Sequence, residues 1–478
     1  MNIPRVVIAA THSGAGKTSV TLGLLRALQR RGLTVQPFKV GPDFIDPALH
    51  TAALRLGSGQ AGQALRRDSR ISRNLDSWLL PHHTVVELFA RAADGADVAV
   101  IEGVMGLYDG AQGKNDDAST AEIAKLLRAP VALVVDAAGV VRSAAAMAMG
   151  YVAFDPEVNI AGVIINRVGG ARHEAWLREA MVASGLPVLG TLPWDERLRL
   201  PERHLGLIPA DEWNSEEAVE ALADAVEAHV DLEALLRAAR LAPRVVVLGP
   251  LAFPPMPVPP VVSIGVARDE AFSFYYQDSL DLLESRGARL VFFSPLHDRE
   301  VPPVHGLYLG GGFPETHAAA LAGNVTMRRQ IREAIRDGLP AYAECGGMMY
   351  LTHQLIDAEG HEHEMVGLLP ATTQLHRRLV ALSYVTLEAV TDTLLLRRGE
   401  QVRGHEFHFS TIQLAGDVEF AFRSPEGRGI EDGKDGISRD TLLASYTHLH
   451  FAGFPAMAER FVEACKNFRN GMRERDAK

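Results

Sequence analysis

A chain of 478 residues, 47% hydrophobic and with a formal charge of −11, is long enough for two or more domains and too acidic to be read as a binder of nucleic acid or of an anionic membrane surface. No apolar run reaches the length of a bilayer span, and the N-terminus lacks the basic-then-apolar layout of a signal peptide. Cysteine occurs only at Cys345 and Cys465, so no disulfide framework is expected and the chain reads as cytoplasmic.

The first apolar run, residues 6–8, enters Ala9-Ala10-Thr11-His12-Ser13-Gly14-Ala15-Gly16-Lys17-Thr18, and a helical pattern leaves it over 19–31. Strand, glycine turn and helix make a phosphate loop. The N–H groups of Gly14, Ala15 and Gly16 converge on an anion at a helix start, Lys17 reaches the β- and γ-phosphates, and the Thr18 hydroxyl holds Mg²⁺. The usual spacing puts a glycine five positions before the Gly-Lys pair, where this chain has Thr11; a generic strand-to-helix turn is the plainer alternative.

A second strand over 34–40 runs into Gly41-Pro42-Asp43-Phe44-Ile45-Asp46-Pro47, with Asp43 and Asp46 at the strand edge where ligands of open α/β sheets collect. A solvated turn is the other reading of those residue types. Residues 55–75 are rich in Arg, Gly and Ser and read as a basic loop. The strand at 98–101 delivers Glu102-Gly103-Val104-Met105-Gly106-Leu107-Tyr108-Asp109-Gly110, and an acid directly after a buried strand suits a second ligand for Mg²⁺. Further strands end at Asp136 and at Asn166, whose amide suits an adenine edge or a turn equally well. The segment Leu200-Pro201-Glu202-Arg203-His204-Leu205-Gly206 looks like a shaped loop, and 215–240 like one closing helix.

Proline accumulates over 242–260, so the expected layout is a nucleotide-binding domain over 1–240, a linker over 241–260 and a second domain over 261–478. The second half again alternates strand and helix. One strand runs into Gly310-Gly311-Gly312-Phe313-Pro314-Glu315. Another runs into Ala343-Glu344-Cys345-Gly346-Gly347, a strand, tight turn and helix on which Cys345 stands clear as a nucleophile. Cys465 sits in a terminal amphipathic helix (457–472) and reads as core. His448 and His450 share a face if their segment is a strand, and both then approach Cys345 as a base; His408 reads as a core or loop residue. His361, His363 and His376 are too loosely spaced for a metal site.

These blocks together resemble the cobyrinate a,c-diamide synthase family of corrinoid biosynthesis, over nearly the whole chain. The first half is similar to dethiobiotin-synthetase-like phosphate-loop proteins. Their loop reads Gly-Thr-x-x-x-x-Gly-Lys-Thr, so that Thr11 fits and Ala10 takes the glycine's place. The blocks at 40–47, 73–76, 102–110, 200–206, 272–276, 310–315, 403–408 and 433–436 carry the rest. The second half is similar to class I glutamine amidotransferases. Their catalytic His is followed two residues later by Glu, but here by His450, which leaves a Cys345–His448 dyad with its imidazole unoriented.

The resemblance implies an α/β fold: a parallel-sheet phosphate-loop domain followed by an amidotransferase domain. It implies that Cys345 attacks glutamine, that His448 protonates the ammonia, and that N–H groups of Gly311, Gly312 and Gly346 hold the oxyanion. ATP, on Thr11, Gly14, Ala15, Gly16, Lys17, Thr18 and Asn166, activates a carboxylate of a tetrapyrrole as an acyl phosphate. Mg²⁺ sits on Thr18, Glu102 and Asp43, and Asp43, Asp46 and Tyr108 face the substrate. L-Glutamine, ATP and cobyrinate or hydrogenobyrinate are the partners, with a homodimer admitted. The same chemistry on a sirohaem or nickel sirohydrochlorin ring is the alternative. A regulatory ATPase with an inactive amidotransferase-like domain is a more distant one.

Overall fold

The computed structural model describes residues 2–55, 70–200, 216–249 and 251–476. Most of the basic 55–75 stretch and all of the loop from Pro201 to Gly206 therefore lie outside the described residues. The chain divides into two compact units, Met1–Pro250 and Leu251–Lys478, and the division falls inside the proline-rich stretch.

In the first unit, the described strands β1 (Arg5–Ala10), β2 (Val35–Val40), β3 (Arg73–Leu75), β4 (Val98–Glu102), β5 (Val131–Asp136), β6 (Ile160–Val168) and β7 (Val188–Pro193) form one parallel sheet. Its order is β3-β2-β4-β1-β5-β6-β7. Most of these strands read as unbroken Val/Ile/Leu/Ala runs because helices cover both faces. The chain leaves β1 and returns on either side of it, in β4 and β5. That reversal opens a crevice beyond the C-terminal strand ends, where the phosphate loop, Lys39 and Glu102 all lie. Helix α1 (Lys17–Arg30) follows β1, and α2 (Ile45–Arg55) follows β2. The expected single closing helix is two, Glu216–His229 and Leu232–Arg240, because Asp231 turns the chain and caps the second by accepting the Ala234 N–H at 2.8 Å.

The second unit departs further from simple alternation. Its described strands are β8 (Val262–Ala267), β9 (Ala288–Phe293), β10 (Leu307–Leu309), β11 (Ala341–Glu344), β12 (Thr352–Ile356), β13 (Glu362–Glu364), β14 (Leu369–Leu375), β15 (Ala381–Ala389), β16 (Gln401–His408), β17 (Ser410–Leu414), β18 (Phe420–Arg423), β19 (Lys434–Arg439), β20 (Leu442–Ser445) and β21 (His448–Leu449). Five of them, β9-β8-β10-β11-β20, run parallel, and antiparallel strands extend that sheet through β19, β18, β15 and β16 to β21. A smaller sheet, β13-β12-β14-β17, stands apart. The large sheet curls until its last member meets its middle: the Leu449 N–H of β21 donates to Glu344 of β11 at 3.1 Å.

Candidate active site

The phosphate loop begins where β1 ends. Gly16 takes φ +98°, and a Cβ there would lie 2.2 Å from the Asn166 amide nitrogen, so both the backbone angle and the close approach call for glycine. Asn166 donates to the Ala15 carbonyl at 2.9 Å and Arg167 to the Gly14 carbonyl at 2.8 Å. The amide that the sequence offers to an adenine edge is thus engaged in bracing the loop. Lys17 donates to the Met105 carbonyl, and Thr18 donates to Glu102 Oε1 at 2.7 Å.

Glu102 is fully buried, and Lys39 and His50, which the sequence reading passed over, share it. Lys39 donates to Glu102 Oε1 at 3.0 Å and also to Asp46; the His50 ring Nε2 lies 2.6 Å from Glu102 Oε2. The signal for Lys39 was available: a lysine on a strand buried on both faces must find carboxylates. Burial alone would raise the Glu102 carboxyl, but Lys39 and His50 outweigh it and hold it well below its ordinary range. Burial, with Asp43 and Glu102 nearby, raises Asp46 above its ordinary range despite Lys39. Burial, with the Lys39 charge, lowers Lys17 to about 8. Asp43 Oδ1 accepts the Ile45 and Asp46 N–H groups at 2.7 and 3.2 Å, and Asn74 ties down the Gly41 and Asp43 carbonyls at 2.9 and 2.6 Å. Gly14, Gly16, Lys17, Thr18, Asp43, Asp46, Glu102 and Asn166 line one cleft of about 830 Å³. Among the described residues no three His, Cys, Asp or Glu side chains are grouped to hold a metal ion by themselves, and Lys39 bridges Glu102 and Asp46; the Thr18 hydroxyl and Glu102 are oxygen donors of the type that Mg²⁺ takes together with phosphate and water.

Two sequence candidates are placed elsewhere. The Tyr108 hydroxyl donates to the Tyr151 carbonyl at 2.6 Å, and its ring packs on Tyr151 and Phe154, outside the cleft lining. The Thr11 hydroxyl pairs with His12 at 3.0 Å, and the Thr11 carbonyl accepts the Tyr151 hydroxyl.

In the second unit Cys345 follows β11 at φ 44° and ψ −104°, a strained corner of the kind that costs about 1–3 kcal/mol and marks functional turns. The parallel strands β10 and β20 flank β11 and shape that corner. His448 lies beside it. Burial would lower the imidazole, but Cys345 and Glu344 outweigh burial and lift it to about 10. A Cβ on Gly311 would sit 2.5 Å from His448 Cε1, and one on Gly346 would sit 3.0 Å from the Gly312 nitrogen. The structure therefore gathers Cys345, His448, Gly311, Gly312 and Gly346. Tyr275 accepts the Gly310 N–H at 2.8 Å and so sets the glycine turn.

His450 does not join them. Strand β21 ends at Leu449, so the shared face expected of His448 and His450 is lost. The His450 ring stacks on Tyr276 at 4.6 Å and accepts the Ala452 N–H at 3.3 Å. His408 packs in the core, stacked on Tyr446 at 3.8 Å. His361 and His363 both meet Asp357, at 3.2 and 3.0 Å, while His376 meets Thr411. Two motif carboxylates have frame roles. Asp435 accepts the Tyr446 and Thr447 N–H groups, each at 3.0 Å, just before His448; Glu406 accepts those of Arg428 and Gly429.

Residues 6–208 match the family model of the CobQ/CobB/MinD/ParA nucleotide binding domain, and residues 263–456 that of the CobB/CobQ-like glutamine amidotransferase domain. The chain is 43% identical over 477 residues to a cobyrinate a,c-diamide synthase of Archaeoglobus fulgidus, covering 97% of this chain and 98% of the relative. It is 44% identical over 472 residues to the enzyme of that name from Syntrophotalea carbinolica (98% and 99% covered) and 42% identical over 469 residues to that of Priestia megaterium (98% of each).

Proposed function

The chain belongs to the cobyrinate a,c-diamide synthase family, and from that premise we propose that it amidates the a and c side-chain carboxylates of cobyrinate or hydrogenobyrinate, with ATP and glutamine as co-substrates. It is a glutamine-dependent ligase. The observation that carries the reading at residue level is the placement of His448 beside Cys345 and the Gly311 turn.

In the second unit the Cys345 sulfur attacks the glutamine side-chain carbonyl carbon. N–H groups at Gly311, Gly312 and Gly346 receive the developing oxyanion. His448, held protonated at neutral pH, passes its proton to the departing ammonia, leaving a thioester on Cys345. Neutral His448 then takes a proton from water as that water attacks the thioester, and glutamate leaves.

In the first unit a carboxylate is a poor electrophile because its leaving group is oxide. Transfer of the ATP γ-phosphoryl group converts it to an acyl phosphate, and ammonia displaces the phosphate to give the amide. Lys17 and the N–H groups of Gly14, Ala15 and Gly16 hold the phosphates, while Asp43 and Asp46 face the macrocycle. Thr18, Glu102 and Asp43 would hold Mg²⁺, which supplies neutralisation of phosphate charge. Two rounds give the diamide. The Cys345–His448 pair argues against an inactive amidotransferase-like domain, and the relatives' name favours the corrin over a sirohaem-type ring.

The test is incubation with ATP, Mg²⁺ and glutamine against cobyrinate, hydrogenobyrinate, sirohaem and nickel sirohydrochlorin, read by mass spectrometry. Two successive replacements of a carboxyl hydroxyl by an amino group on a corrin-type ring are expected. Reaction with a sirohaem-type ring alone moves the substrate assignment, and no reaction on any ring sinks the synthase reading.

A further inference from the structure

The sequence left His448 without a carboxylate two positions on. The structure brings one from the other side of the nucleophile. Glu344, the residue before Cys345, is buried at the end of β11, with Oε2 3.6 Å from His448 Nδ1. Donors on three strands hold it: the Tyr342 hydroxyl and the Leu449 N–H (3.1 Å) on Oε1, and the Tyr308 hydroxyl on Oε2 (3.2 Å).

We propose that Glu344 is the positioning residue of His448, taking the part of a triad acid from the position preceding the nucleophile. The inference rests on the reading of Cys345 and His448 as a glutaminase pair. The groups facing His448 are Cys345, Glu344 and, from β16, His405 across the strand pair and His408 at the strand end, which burial lowers to about 4 and so keeps neutral. Burial and the His448 charge lower His405 to about 3, so it stays neutral. When Cys345 is a thioester its sulfur carries no charge. Glu344 is then the acidic neighbour that remains while His448 takes the proton from water. A carboxylate held by two tyrosines and a backbone N–H costs no reorganisation at that moment. The two steps need opposite proton states of one imidazole, and a fixed carboxylate 3.6 Å from Nδ1 favours the same ring orientation in both.

The test uses the full chain and divides each variant's glutamine-dependent amidation rate by its own ammonia-dependent rate. Glu344→Gln is expected to lower that ratio roughly 10- to 100-fold, mainly in kcat for glutamine. The alkaline limb of the glutamine profile, set by loss of the His448 proton near pH 10, moves to lower pH. Glu344→Asp restores part of both. A ratio within about twofold of wild type with an unmoved limb overturns the proposal. If Glu344→Gln does not fold, Tyr342→Phe, which removes one donor from the carboxylate, must lower the same ratio; an unchanged ratio overturns the proposal. Cys345→Ala separates the two levels. Glutamine-dependent amidation surviving in Cys345→Ala sinks the glutaminase reading itself, whereas its loss there beside a wild-type Glu344→Gln sinks the Glu344 role alone.

Discussion

Individual side chains at both sites are set by what burial forces on them. His448 is an example: buried imidazoles normally lose their proton, and this one keeps it because a sulfur and a carboxylate lie against it. Cys345→Ala removes the larger of the two raising influences. The His448 pKa is therefore expected to fall from about 10 by at least about one unit, measured by NMR titration of the ring nitrogens. An unchanged pKa contradicts the contact. Gly311 is the second case. Its missing Cβ leaves room for the His448 ring, and Gly311→Ala puts a carbon 2.5 Å from Cε1. The ring must shift, and glutamine hydrolysis is expected to drop on the order of 100-fold with unchanged circular dichroism. Full activity in that variant shows that the ring has another place to stand. Gly311 and His448 were both legible as residues of interest, from a glycine turn and a strand-borne histidine. That one excludes a side chain on the other was not, because 137 positions separate them in the chain.

At the scale of elements, buried polar side chains join segments that the hydrophobic pattern alone does not pair. Arg5, wholly buried in β1, donates to the Leu127 carbonyl at 2.7 Å and the Pro243 carbonyl at 2.6 Å, tying the sheet to the end of the first unit. Burial, with Arg128 nearby, lowers it to about 10, so it stays charged at neutral pH. Arg5→Ala leaves the carbonyls of Ile3, Leu127 and Pro243 without this donor and a cavity in the guanidinium's place, and it is expected to cost about 2–4 kcal/mol, read as a fall in the denaturation midpoint of the first unit. A cost below about 0.5 kcal/mol means that water replaces the guanidinium. Strands β1, β2, β4, β5, β6 and β7 were readable as apolar runs bounded by turn residues. The strands β12 to β19, paired antiparallel except for β12 with β14, were not, because polar-faced strands carry a weaker pattern than strands buried on both faces. The break at Asp231 was missed for a related reason: helical spacing of apolar residues continues across it.

For the whole molecule, the proposed function needs two chemistries in two compact units, and substitutions should divide accordingly. Cys345→Ala is expected to abolish amidation from glutamine while ammonium salts still support it. Lys17→Ala is expected to abolish both, since both need the activated carboxylate. A Cys345→Ala chain that fails with ammonium places Cys345 in the frame of the synthetase reaction rather than in ammonia supply. Steady-state rates with each nitrogen source decide this.

The sequence by itself determined the α/β class, the phosphate loop, the cysteine elbow, the glycine turn and the family. Each is written in neighbouring residues, where backbone angles and strand-end placement follow from local composition. It also marked Glu102, Asp43 and Asp46, since an acid after a buried strand has few places to go. Only the tertiary structure decided who partners them. Lys39 and His50 reach Glu102 because β2 lies beside β4 in the sheet though not in the chain order of neighbours. Glu344 meets the β21 segment, 105 residues away at Leu449, because the large sheet curls back on itself. Buried charges must be satisfied by whatever the fold brings near, and strand order sets that proximity in ways that spacing along the chain does not.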